Sequence, residues 1–188
     1  MRKLVYYVAV SLDGFIAGPG HQFDAFLAEG DHATVLFGEF GDAIPSEFRK
    51  AVGLPDTPQR FDTVVMGWNT YLPGLDAGFP SPYAHLRQVI ASRSARDVPD
   101  EIELTDDPLT TVRALKAEDG LDIYLAGGGD LAGQLIDEID ELVIKRNPMA
   151  FGTGIPLFGH HPYRVVPFAH ERTRTFESGV VISEYARG

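Results

Sequence analysis

Apolar positions in this chain cluster in short continuous runs separated by glycine- and proline-rich breaks. That pattern predicts strands buried on both faces rather than an alternating, half-exposed sheet. Lys3 to Val10 reads as a central strand. It is followed by an Asp13-Gly14 turn, the short apolar piece Phe15-Ile16-Ala17 and a break at Gly18-Pro19-Gly20. From Asp24 to Gly53, short helical stretches alternate with glycines, and Pro45 with Glu47 suits a helix start. Further strands are predicted at Thr63–Met66, Gln88–Ala91, Asp122–Ala126 and Glu141–Arg146. The helices between them start at Gly67, at Asp107-Pro108, a good N-cap and first-turn pair, and after Gly127-Gly128-Gly129, the last running through Ile136. The segment from Tyr163 to Tyr185 has the composition of a hairpin or extended arm. Strands alternating with helices indicate an α/β sheet, and the β-rich end makes that sheet mixed.

The chain of 188 residues fits one domain spanning 1–188, with no internal repeat or long linker. It contains no cysteine, which removes disulfides, thiol redox motifs and thiolate metal sites. No apolar run approaches the roughly 20 residues of a membrane helix. The first strand leads into Ser11-Leu12-Asp13-Gly14 without a small-residue cleavage site, so a cytoplasmic location is expected. A formal charge of −11 opposes binding to nucleic acid or anionic membrane. An anionic cofactor would have to be held by local groups.

Such groups recur at successive strand ends. Gly67-Trp68-Asn69-Thr70, Ser92-Arg93-Ser94 and Gly127-Gly128-Gly129-Asp130 each follow a buried strand and open a turn or helix. In an open α/β sheet, loops of this kind converge at the carboxyl ends of the strands, where ligands bind. Glycines let backbone N–H groups approach a phosphate, helix starts add partial positive charge, and hydroxyls with an arginine complete the donor set. Gly127-x-Gly129-x-x-Ala132 also fits a dinucleotide fingerprint. However, the acidic residue expected about 20 positions on is missing, since 145–161 holds no Asp or Glu. The glycines also come late in the chain, and a standard Rossmann fold is rejected.

Four motifs occur in order: Ser11-Leu12-Asp13-Gly14-Phe15-Ile16-Ala17, Met66-Gly67-x-x-Thr70-Tyr71, Ala126-Gly127-Gly128-Gly129 and Pro148-x-x-x-Gly152-x-Gly154-x-Pro156-Leu157-Phe158. Together they resemble the dihydrofolate reductase superfamily. The likeness is greater to its riboflavin-biosynthesis branch, the RibD C-terminal domain of pyrimidine reductases. The resemblance implies a dihydrofolate reductase-like, three-layer αβα fold with a mixed, mostly parallel central sheet. It implies an oxidoreductase that transfers hydride from NADPH to a small pyrimidine- or pterin-like heterocycle, related to 5-amino-6-(5-phosphoribosylamino)uracil reductase. NADH stays open as the alternative cofactor. Carried onto this chain, Ala9 and Ile16 would flank the nicotinamide. Gly67, Trp68, Asn69 and Thr70, with Gly127, Gly128, Gly129, Asp130 and Leu131, would cradle the pyrophosphate. Ser92, Arg93 and Ser94 would hold the adenosine end. Similar proteins often form homodimers, and the strand-like C-terminal segment would leave an edge for such pairing.

One departure concerns the cofactor. Where the family commonly has a basic residue for the 2′-phosphate, this chain has Trp68. Indole has a single N–H donor and no charge, so it suits stacking on adenine rather than an anion contact.

Hydride reduction also needs a proton. The family's substrate pocket lies between the first strand and the helical segment after it, a region holding Asp24, Glu29, Asp31 and Glu47. Asp24, set between Phe23 and Phe26, is the preferred catalytic acid, because apolar neighbours would raise its pKa; a helix N-cap is its structural alternative. The acid of dihydrofolate reductases has no match, which argues against dihydrofolate as substrate. Asp13 is read as a turn former. His160-His161 lacks a third ligand at metal spacing, so no metal site is expected, while His21 lies near the proposed pocket. No nucleophile elbow or P-loop occurs. The competing reading is a non-catalytic dinucleotide- or partner-binding protein on the same fold.

Overall fold

The computed structural model describes residues 1–188. Its strands are β1 (Leu4–Val10), β2 (Phe15–Ala17), β3 (Phe61–Gly67), β4 (Arg87–Ala91), β5 (Ile102–Thr105), β6 (Asp122–Gly127), β7 (Glu141–Arg146), β8 (Ile155–Pro156), β9 (Phe168–Thr175) and β10 (Val181–Arg187). Helices α1 (Ala33–Glu39), α2 (Ser46–Ala51), α3 (Trp68–Asp76), α4 (Pro108–Ala117) and α5 (Gly129–Gln134) lie between them. Eight strands form one sheet in the order β5-β4-β3-β6-β1-β7-β10-β9. β1, β3, β4, β5, β6 and β7 run parallel, and the β9–β10 hairpin adds antiparallel to β7. The sheet is mixed and mostly parallel, as expected.

Alternation along the central strands explains the layers. Leu4 and Tyr6 of β1, Val65 of β3 and Ile123 and Leu125 of β6 face one side, where Val112 and Leu115 of α4 and Leu131 and Ala132 of α5 cover them. Val5, Val64, Met66 and Tyr124 face the other side, under Leu36 of α1, Phe40 and Tyr71 of α3. Both faces are therefore apolar, and the continuous runs in the sequence follow from that. The start of α4 is fixed as predicted, with the Asp107 carboxylate accepting from the Thr110 N–H at 3.1 Å.

Several boundaries differ from the sequence reading. β5 was not foreseen: it is a four-residue edge strand with one buried residue, Ile102, so its apolar signal is thin. α5 stops at Gln134 rather than Ile136. The C-terminal arm is regular only from Phe168, and Tyr163 and Val165 are exposed. The arm does not wait unpaired for another copy, because β10 bonds to β7 on one side and β9 on the other. On this side the sheet ends at β9, which carries His170, Glu171, Arg172 and Arg174, and on the other it ends at β5.

Candidate active site

The carboxyl ends of the parallel strands finish at one level, and this sets the site. Gly67 at the end of β3 pairs with Ala91 at the end of β4, and Met66 pairs with Gly127 at the end of β6. The loops beginning at Gly67, Ser92 and Gly127 therefore leave three adjacent strands side by side. The Gly67 and Gly127 loops are in close contact, since a methyl group on Gly67 would sit 3.8 Å from the Gly128 nitrogen. A cleft of about 910 Å³ opens over them and continues across β1 to β7. Tyr7, Val8 and Ala9 line it, which is why the middle of a central strand is only half-buried there.

Ala9, Ile16, Gly67, Trp68, Asn69, Thr70, Ser92, Arg93, Ser94, Gly128, Gly129, Asp130 and Leu131 all line this cleft. Gly127 does not line it. It supports the loop from behind, with a φ of +99° that glycine adopts without strain. Gly129 is needed for a different reason: a Cβ there would run into the Pro156 carbonyl oxygen and the Gly159 backbone, so the end of β8 and the turn after it are seated directly on it. The first N–H groups of a helix lack intrahelical acceptors, and the first residues of α3 and α5, Trp68, Asn69, Gly129 and Asp130, line the cleft.

Asp24, expected as the catalytic acid, stands outside the cleft. It is exposed in a turn, and the apolar enclosure argued from Phe23 and Phe26 encloses the cleft instead. No helix begins at Asp24, so it is not an N-cap either. Glu29 is exposed, and Asp31 accepts from the Glu177 and Ser178 N–H groups at 2.7 and 3.2 Å, tying the β9–β10 turn to the start of α1. Glu47 and His21 do line the cleft. Asp13 is more than a turn former: it accepts from the Ser11 hydroxyl at 2.6 Å and from the Phe151 and Gly152 N–H groups at 3.1 and 2.7 Å. These bonds hold its carboxyl down at about 2, the Ser11 hydroxyl contributing most. They also pin the 148–154 loop beside β2. His160 and His161 are exposed, and no cluster of three or more His, Asp or Glu residues could hold a metal ion.

Two residues that sequence reasoning missed stand in the cleft. Arg96 lies with its guanidinium 4.5 Å from the centroid of the Trp68 ring, covering the indole face that had been offered to adenine. Its signal was a second arginine three positions after Arg93. Lys145, in β7 and paired with Ala9, is almost fully buried, and its ammonium donates to the Leu27 carbonyl. Burial pushes its pKa down to about 8. Its signal was a lysine inside a strand otherwise buried. Four inter-strand steps of about 4.8 Å put the ends of β4 and β7 roughly 19 Å apart.

Comparisons with known proteins agree with this architecture. A family model, the RibD C-terminal domain, matches residues 2–182. The uncharacterized protein YwjB of Bacillus subtilis (strain 168) is 33% identical over 166 residues, covering 84% of this chain and 83% of its own. YyaP of the same organism is 28% identical, covering 96% and 92%. A candidate riboflavin biosynthesis protein from Shewanella sp. PV-4 superposes with a TM-score of 0.69 at 24% identity, covering 100% of this chain and 99% of its own. A Thermotoga maritima diaminohydroxyphosphoribosylaminopyrimidine deaminase/5-amino-6-(5-phosphoribosylamino)uracil reductase superposes with a TM-score of 0.67 at 17% identity, covering 100% of this chain and 57% of its own. With a dihydrofolate reductase-like sheet and a family match over nearly its whole length, this chain belongs to the RibD C-terminal domain family.

Proposed function

We propose that the protein is an NAD(P)H-dependent reductase that transfers hydride to a small unsaturated heterocycle of pyrimidine- or pterin-like type. The observation that carries this reading is the junction of the Gly67, Ser92 and Gly127 loops over adjacent strand ends. The residues present fit a dinucleotide. Gly128 leaves room at the junction, since a Cβ there would meet only the Thr70 hydroxyl, at 3.6 Å, and would fill space a pyrophosphate could use. The starts of two helices, at Trp68 and Gly129, border the same cleft, and helix starts favour anions. Arg93 and Arg96 supply positive charge at the far end, which favours NADPH over NADH. Ala9 and Ile16 offer a flat apolar wall beside β1.

When bound, the reduced nicotinamide would supply the hydride. The chain's own groups would orient the dinucleotide across the strand ends and keep the acceptor in the half of the cleft beyond β1. The accompanying proton comes from a group lining the cleft or from water, and not from Asp24. No helix in the structure is long and apolar enough to cross a membrane.

Binding and turnover separate under one pair of measurements. NADPH and NADH are titrated while thermal unfolding is followed, and a cofactor at 100 times its Kd stabilises the fold by about 2.7 kcal/mol. Loss of NADPH absorbance is then followed across pterins, pyrimidines and quinones. No stabilisation by either cofactor at millimolar concentration sinks the proposal, and stabilisation without turnover turns it into the non-catalytic binder.

A further inference from the structure

Away from the strand-end loops the cleft has a distinctive chemistry. Phe23, Phe48 and Phe79 line the cleft with about half of their surface exposed, and Phe48 leans on Phe37 with 6.3 Å between ring centres. Tyr7 and Tyr83 line it too, and neither hydroxyl donates to a backbone carbonyl as those of Tyr6 and Tyr71 do. Charge is sparse. The arginines of the cleft are Arg93 and Arg96, both past the end of β4, and the one lysine is Lys145. Lys145 forms no ion pair, and the Leu27 carbonyl takes one of its three N–H donors. His32 reaches the same carbonyl at 3.3 Å, so the tether does not depend on Lys145 alone.

A phosphate ester in such a place would need a fork of guanidinium donors or several cations. Here it would meet one ammonium, with Glu47 lining the same cleft and a net charge of −11 on the whole chain. A flat ring, by contrast, finds aromatic faces to stack on and a single donor for one oxygen. We propose that the acceptor bound in this cleft is a flat, phosphate-free ring carrying a carbonyl oxygen, stacked on the exposed phenylalanines with that oxygen on the Lys145 ammonium. This rests on the reductase reading and narrows it: the phosphoribosyl group named for the Thermotoga enzyme has no counterpart site here. A lysine with a pKa near 8 is still mostly protonated at neutral pH, so it can donate to the oxygen.

The test uses the whole chain and three probes sharing one isoalloxazine ring: lumiflavin, riboflavin and FMN, with lumazine as a smaller ring. Dissociation constants are measured by fluorescence with saturating NADP+, after NADP+ binding alone has been measured. Lumiflavin is expected to bind at least about tenfold more tightly than FMN, the cost of an unpaired buried phosphate. Lys145→Met is expected to weaken lumiflavin by about tenfold while NADP+ affinity stays unchanged. Lys145→Gln, which can still donate to Leu27, serves if the methionine variant folds poorly, and the lumiflavin-to-FMN ratio needs no variant. FMN binding as tightly as lumiflavin, no binding of lumiflavin or lumazine, or lumiflavin affinity unmoved in the folded variants overturns the inference. If NADP+ itself fails to bind, the reductase reading falls and takes this one with it. If NADP+ binds and the rings do not, only this inference falls.

Discussion

The guanidinium of Arg96 lies 4.5 Å from the centre of the Trp68 indole, so the position that lacks a basic residue in sequence is covered by one in space. Arg93 lines the same end of the cleft. Cofactor preference should follow these side chains. Replacing Arg96 by alanine is expected to weaken NADPH by about tenfold and NADH far less, because only the former has a 2′-phosphate to lose a charged donor. Equal losses for both cofactors, measured by calorimetry, would place Arg96 outside the 2′-phosphate site.

The glycines of the cradle separate folding from binding. Gly129→Ala drives a Cβ into the Pro156 backbone oxygen, and overpacking of this kind costs about 1–3 kcal/mol, visible as a lowered urea midpoint. Gly128→Ala meets only the Thr70 hydroxyl at an ordinary contact distance and has an extended backbone, with φ at −85°. It should unfold like the parent yet bind NADPH at least about tenfold more weakly, since its methyl group occupies the cradle. Undiminished binding by this variant would remove the phosphates from the Gly67–Gly128 junction.

Remote from the cleft, Asp42 organises the approach to β3. Its carboxylate, 3% exposed, accepts from the N–H groups of Gln59, Arg60 and Phe61 at 2.8, 2.6 and 3.1 Å and pairs with the buried Arg49 at 3.2 Å. Asp42→Ala leaves a buried guanidinium and three N–H groups without it, and a loss of about 3 kcal/mol is expected by denaturant titration. A loss below about 1 kcal/mol would show that water replaces the carboxylate.

The pH dependence of stability has two separate arms. Burial, the main cause, lowers the pKa of both His32 and His85 below 6.5, so the unfolded chain takes up these protons first. Their contribution is present above pH 6.5 and is lost as pH falls below it, before the carboxylates titrate. Lys145, lowered to about 8 against 10.5 unfolded, binds fewer protons folded than unfolded between those values, so its contribution makes stability rise with pH there. Lys3 and Lys50 are shifted upward by Glu141 and Glu47 and act in the opposite sense, so the comparison must be between the parent and Lys145→Met. The difference in urea midpoint between the two should change across pH 8 to 10.5; a constant difference would show that Lys145 titrates normally.

Local chemistry was enough to read the central strands, the α4 cap and the three strand-end loops. A strand buried on both faces must be apolar throughout, and a loop leaving such a strand must be small or polar. The α/β class, the mixed sheet and the candidate cradle follow from residues adjacent in sequence. What lay outside that reach was decided by packing. Whether Asp24 or Lys145 faces the cleft depends on how the segment after β2 lies against β7, a contact between residues more than a hundred positions apart. Arg96 finds Trp68 only because β3 and β4 are neighbours in the sheet, and the short edge strand β5 exists only because β4 offers it a partner. Side-chain direction and strand adjacency are properties of the folded sheet, and a linear pattern carries no record of them.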